Sequence, residues 1–427
     1  MDSSLSTGAA QQPTDGGQSV GQQTKLRLLQ RGSLPILPEE ERKFRPDIYW
    51  YLSFRCNLAC EHCSVHSSPW VDTSKDLSTA DALKVVDQMA ELNVQTAILT
   101  GGEVLIRPDV CEIIRALTDR GISVAIETNG LRFTPEFLAL ARELQGKNKK
   151  SLGMSISLDG GTAETHERLR GPGSFERTVR NFHLLAENNV RFNVQAILNR
   201  SNILSIPDLF AIAKELRPHL NLLLFGFLNA VGRGTTLIHQ LGLRTEDYNT
   251  LFELIKQGMD RTRVPTVVKS PPATVPPRYL GVLFNHPSTT PSFSCQFPLL
   301  GVLPNGDITI CAVSRENEGV HFGNVRTENL KEVWAKTRMD MLRSRYLAAD
   351  DLKGICGDCI FKRMCKGACR AWAYEMGEDF DSPFPVCAQM EAEGRFPTAY
   401  RISSQNEALM KQVAAESASC GACACSH

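Results

Sequence analysis

The sequence predicts an α/β fold, a parallel sheet of six strands curled into a partial barrel, followed by a smaller cysteine-rich domain. Three observations lead there. Apolar, β-rich runs alternate with single helical patterns from Asp47 to about residue 235; cysteines crowd between Cys295 and Cys387, where periodicity is poor; and a proline-rich stretch separates the two regions.

The elements follow in order. DIYWYLSF reads as the first strand, with a helix from about Ser78; TAILT is the second, with a helix from Pro108; SVAIET is the third, with a helix from Thr134. SLGMSISL, FNVQAIL and LNLLLFGFL supply three more, with helical stretches near 174–188 and 206–216. Strands joined by single helices imply parallel pairing and right-handed crossovers, and working residues of such barrels sit where strands end. The expected division is 1–45, a disordered polar tail and lead-in; 46–264, the barrel; 265–294, a proline-rich bridge; 295–395, the cysteine-rich domain; and 396–427, a last helix and cysteine-rich tail.

Composition excludes several classes. The chain of 427 residues is 42% hydrophobic, enough for one large core and a smaller one. Lys plus Arg and Asp plus Glu each number 47, so no basic excess points to nucleic acid or an anionic membrane. The sequence shows no long apolar run, and its start does not read as a secretory signal, so a cytoplasmic location is expected. Its 14 cysteines are then expected as reduced thiols, and closely spaced thiols in that compartment bind metal.

Two constellations carry chemistry. The first strand runs into FRCNLACEHCSV, which puts Cys56, Cys60 and Cys63 in one short loop. Three thiolates from one loop suit a cubane iron–sulfur cluster and leave its fourth iron without a protein ligand; a zinc site is the alternative. The second comprises Cys295 and Cys311, then Cys356, Cys359, Cys365 and Cys369, then Cys387, for which a zinc ribbon is the alternative. Cys111, alone in a helical pattern, reads as a small buried hydrophobe. Cys420, Cys423, Cys425 and His427 end the chain; they could act as further ligands or form an oxidisable tail.

The CxxxCxxC loop after the first strand resembles the signature of the radical S-adenosylmethionine (radical SAM) superfamily. The resemblance extends to TGGEVLIRP at the second strand end, ETNG at the third, and SISLDG followed by HERLRGPGSF at the fourth. A lone Gly-Gly-Glu turn means little; the order of the motifs supplies the specificity. The resemblance implies that Cys56, Cys60 and Cys63 hold a four-iron cluster, that Gly101, Gly102 and Glu103 hold the methionyl amine of S-adenosylmethionine, and that Ser157 and Arg170 contact its ribose and carboxylate. Thr128 and Asn129 would line the same pocket. Two departures stand out: Val104 replaces the usual proline, and His62 takes a position that is usually aromatic or large and apolar. His62 could stack on adenine or face solvent.

The later cysteines resemble the SPASM domain, which holds two auxiliary four-iron clusters. By resemblance, Cys356, Cys359, Cys365 and Cys387 ligate one cluster and Cys295, Cys311 and Cys369 the other. No extra cysteine lies between Cys295 and Cys311, so one iron there is open or ligated from elsewhere. The implied chain is a partial (β/α)6 radical SAM barrel with a C-terminal SPASM domain, carrying three clusters and S-adenosylmethionine.

Such an enzyme cleaves S-adenosylmethionine reductively, and the 5′-deoxyadenosyl radical removes hydrogen from a substrate. The leading substrate is a ribosomally made peptide, to be crosslinked, oxidised or epimerised. The alternative is a small molecule in cofactor, modified-haem or sugar biosynthesis; a non-catalytic metal-binding scaffold is the alternative of another class. Ala312 stands where anaerobic sulfatase maturases carry an acidic residue, which disfavours that role. Expected partners are an electron donor such as a flavodoxin or ferredoxin and, because the lead-in is short and polar, a separate peptide carrier.

Overall fold

Strand β1 (Asp47–Ser53) sets the pattern: Ile48, Trp50 and Leu52, which share one face, are fully buried, while Asp47, Tyr49 and Ser53 on the other face are half-buried. The computed structural model describes residues 46–292, 299–314, 318–335, 349–377 and 379–402. The polar tail, Cys295, the last helical pattern and the terminal cysteines therefore lie outside the described residues. No helix among those described is long and apolar enough to cross a membrane.

Strands β2 (Thr96–Gly101), β3 (Ser123–Thr128), β4 (Leu152–Ser157), β5 (Phe192–Leu198) and β6 (Leu220–Phe227) follow β1 in spatial order, all parallel. Helix α1 (Thr79–Glu91) starts where Ser78 accepts the Asp81 backbone N–H, and it buries Ala82, Val85, Val86 and Met89 at helical spacing. Between β2 and β3 runs α2 (Val110–Asp119), which buries Cys111. Helix α3 (Pro135–Lys147) is capped by Thr134 with proline in its first turn. Helix α4 (Ala163–Arg170) begins in a reciprocal Thr162/Thr165 cap, ends at Gly171, and carries Arg170 as its last residue. Helices α5 (Ser174–Glu187) and α6 (Ile206–Glu215) complete the expected crossovers. Phe182 of α5 stacks on Phe192 of β5 at 5.1 Å, and each such buried aromatic contributes about 1.5–3 kcal/mol.

The structure adds elements beyond these. Helices α7 (Gly234–Leu241) and α8 (Asp247–Thr262) form where the pattern weakened, and the proline-rich bridge contributes two more parallel strands, β7 (Thr266–Lys269) and β8 (Thr289–Ser292), beyond β6. At the other edge, β9 (Leu299–Val302) pairs parallel with β1, and β10 (Asp307–Thr309) and β11 (Gly323–Asn324) continue antiparallel. The cysteine-rich segment thus begins as an extension of the barrel sheet, which satisfies the backbone of the otherwise open β1 edge.

Candidate active site

The C-terminal ends of β2 to β6 and the loop that follows β1 surround one cleft of about 270 Å³. Thr100 and Gly101 reach it from β2, Glu127 and Thr128 from β3, Ser155 and Ser157 from β4, Gln195 and Ile197 from β5, and Phe227 from β6. Five consecutive strand ends can line one cleft only if the sheet is curled. Cys56, Cys60 and Cys63 line it as well, together with His62, Gly102, Asn129, Arg170 and Arg233. Of the expected cofactor contacts, Glu103 alone is absent from the cleft wall.

The cysteine loop is anchored at both ends. Cys56 N–H donates to the Ser68 carbonyl at 3.1 Å, while Arg233, from the loop after β6, donates to the carbonyls of Cys60 at 2.7 Å and Ser67 at 2.8 Å. Sulfurs already receive donors: Leu58 N–H reaches Cys56 Sγ at 3.4 Å and Ser67 N–H reaches Cys63 Sγ at 3.3 Å. Burial pushes the Cys56 thiol up to about 12 and raises that of Cys60, so taking up metal there releases protons. Among the described residues, no three His, Cys, Asp or Glu side chains group as a single metal ion requires.

Gly101 and Gly102 let the end of β2 press against this loop. Gly101 has φ +125, and a Cβ there would lie 2.3 Å from the Ser53 carbonyl oxygen; one on Gly102 would lie 2.0 Å from that of Arg55. Glu103, 2% exposed, does not line the cleft itself but bonds residues that do. One carboxylate oxygen accepts from Thr128 Oγ1 at 2.7 Å and Leu105 N–H at 3.0 Å, the other from Asn129 N–H at 2.7 Å. Burial raises its pKa against these three bonds. Asn129 in turn donates to Asn57 Oδ1 at 2.7 Å, tying the end of β3 to the cysteine loop.

Arg170 is held by a residue that sequence reasoning missed. Asp159, 0% exposed, accepts Arg170 Nε at 2.5 Å and lies 3.3 Å from His62 Nε2. Burial works to raise the Asp159 pKa, but Arg170 and His62 outweigh it and keep the carboxyl well below its usual range. The aspartate in SISLDG, set just past a strand end, was the available signal. His62 does not face solvent: its side chain is 8% exposed and its ring lines the cleft.

A second cavity gathers Cys356, Cys359, Cys365 and Cys387 with Phe361, Phe384 and Phe396, walled on one side by Pro271 and Pro272 of the bridge. Phe384 N–H donates to Cys356 Sγ at 3.2 Å and Phe361 N–H to Cys359 Sγ at 3.4 Å. Burial first, and then the other thiols of the tetrad, push Cys365 up to about 12. Four soft donors in one apolar cavity, with backbone N–H groups on their sulfurs, fit a fully ligated four-iron cluster. Cys369 does not line this cavity. It lies just ahead of the helix Arg370–Gly377, which packs on the turn Ala312–Ser314 that follows Cys311. Ala312 in turn joins a buried cluster with Tyr51, Val65 and Leu303, against which Cys63 packs.

Known proteins share these features. Residues 50–204 match the radical SAM superfamily, and residues 295–360 match the SPASM iron–sulfur cluster-binding domain. The chain is 30% identical over 355 residues to an AdoMet-dependent heme synthase of Methanosarcina barkeri, covering 80% of this chain and 95% of that one. It is 28% identical over 358 residues to the mycofactocin maturase MftC of Mycobacterium tuberculosis, covering 81% and 83%. The crystal structure of Streptococcus suis SuiB bound to S-adenosylmethionine superposes with a TM-score of 0.61 at 15% identity, over 80% of this chain and 76% of that one, and so shares the fold. The chain belongs to the radical SAM superfamily and carries a SPASM domain, and it is an enzyme that uses S-adenosylmethionine and iron–sulfur clusters.

Proposed function

We propose that this enzyme carries three four-iron clusters and acts on a ribosomally made peptide, removing hydrogen from an unactivated carbon. The observation that carries the reading is the convergence of Cys56, Cys60 and Cys63 with five strand ends on one cleft. When bound, the cluster and S-adenosylmethionine supply a 5′-deoxyadenosyl radical by one-electron reductive cleavage. The three thiols hold that cluster and leave one iron for the cofactor. The strand end at Gly101 and Gly102 receives the methionyl amine through backbone, since the Glu103 carboxylate is fully engaged elsewhere. Ser157 and Arg170 take the ribose and carboxylate, with Asp159 fixing the guanidinium, and the His62 ring packs on adenine. Ile197, Phe227, Leu228 and Val231 supply apolar wall that keeps water from the reacting carbon. Cys356, Cys359, Cys365 and Cys387 hold one auxiliary cluster, and Cys311 and Cys369, with Cys295, the other. A flavodoxin or ferredoxin supplies the electron, and a separate carrier presents the peptide.

The mycofactocin maturase relative supports a peptide. The heme synthase relative, matched over 95% of its length, supports a second reading, an iron tetrapyrrole as substrate. Anaerobic incubation with S-adenosylmethionine and dithionite tests both. A candidate peptide consumed to a product two hydrogens lighter supports the first reading. Cofactor cleavage coupled to conversion of an iron coproporphyrin, with no peptide converted, replaces it with the second.

A further inference from the structure

Two buried hydrogen-bond donors near Cys311 and Cys369 have no partner among the described residues, the Trp372 indole Nε1 and the Thr309 hydroxyl. Trp372 is 3% exposed and Thr309 0%. An unpaired buried donor costs about 1–3 kcal/mol, so folded chains retain one chiefly where something accepts from it.

Their placement says what that acceptor is. Thr309 ends β10, two residues before Cys311. Trp372 lies in the first turn of the helix Arg370–Gly377, and its backbone N–H donates to Cys369 Sγ at 3.4 Å. The helix presents its positive end to that sulfur and packs on the turn after Cys311. Trp372 is not part of the tetrad cavity wall. Phe384 lines that cavity and meets the indole edge-on, ring centroids 5.0 Å apart at 90°. Trp372 follows Cys369 by three residues and Thr309 precedes Cys311 by two, so both unpartnered donors sit in the segments that carry these two thiols.

We propose that the Trp372 indole N–H and the Thr309 hydroxyl donate to sulfur of the iron–sulfur cluster bound at Cys311 and Cys369, and that they raise its reduction potential. The inference rests on the reading above that a cluster sits there. A cluster that gains an electron gains negative charge, so donors fixed on its sulfurs stabilise the reduced state more than the oxidised one. Trp372 and Thr309 are positioning residues for electron acceptance and touch no substrate.

The test is an EPR-monitored redox titration of the full-length, reconstituted protein, with Trp372→Phe, Thr309→Val and the double variant. Phenylalanine keeps a ring against Phe384 and valine keeps the threonine shape, so each removes a donor at little change in packing; iron content equal to wild type verifies loading. Cys369→Ala identifies which signal belongs to the cluster in question. That signal should move to lower potential in each single variant and further in the double, while the other signals stay in place. An unmoved signal in variants that retain it, or a shift only in signals that survive Cys369→Ala, overturns the proposal. If wild type shows no signal that depends on Cys369, the cluster assignment itself fails and the inference falls with it.

Discussion

Glu103 spans the ends of β2 and β3, its carboxylate accepting the Thr128 hydroxyl at 2.7 Å from behind the cleft wall that Thr128 lines. With the Asn129 N–H on its other oxygen, it ties together two strand ends that shape the cleft. Glu103→Ala leaves the Asn129 and Leu105 N–H groups and the Thr128 hydroxyl without their acceptor, and should lower unfolding free energy by about 2–4 kcal/mol. Denaturant titration beside cofactor-binding calorimetry checks this. Weakened cofactor binding at unchanged stability would instead mean direct contact.

Asp159 and Arg170 form a buried pair. Asp159→Asn leaves the guanidinium buried beside a neutral amide, and removing one partner of such a pair costs about 3–5 kcal/mol. The variant should unfold at lower denaturant and bind S-adenosylmethionine more weakly, whereas Arg168→Ala, which removes an exposed pair with Glu61, should change stability by less than about 1 kcal/mol.

Gly102→Ala drives a methyl group onto the Arg55 carbonyl and must displace the cysteine loop. Iron retained after desalting should fall by about four atoms per chain, one cluster's worth, with the auxiliary clusters intact. Full iron retention would show that the close approach can relax.

His166 gives the enzyme an acid-sensitive element. Burial first, and Arg170 next, push it down to about 4, while its Nδ1 accepts the Asp159 backbone N–H at 3.0 Å. The unfolded chain titrates near about 6.5, so between those values it binds more protons than the native state does. Stability therefore falls as pH falls through that window, by up to about 1.4 kcal/mol per unit. His166→Gln should flatten this slope in denaturant midpoints taken from about pH 7 to about pH 5.5. A parallel slope in both proteins would assign the effect to other groups.

The two thiol groups of the C-terminal segment should load independently. Cys365→Ala should remove about four irons and spare the signal that depends on Cys369, because Cys369 stands outside the tetrad cavity. Loss of both signals together would show one shared site.

The sequence by itself determined the six-strand alternation and helix starts such as Ser78 and Thr134, because local periodicity and capping chemistry are written in neighbouring residues, while the thiol tetrad followed from the resemblance to the SPASM domain. It also marked Gly101 and Gly102, since only glycine tolerates such close backbone approach. Tertiary structure decided the rest. β9 pairs with β1 across some 250 residues of chain, and no local signal reports so distant a partner. β7 and β8 form among prolines because neighbouring strands, rather than propensity, stabilise them. Glu103 was legible as a carboxylate at a strand end, but its bonds to Thr128, Leu105 and Asn129 depended on which buried donors lay around it. Asp159 and Arg233 likewise acquire their roles only when the sheet curls, bringing residues from separate loops to one cleft where burial makes each bond count.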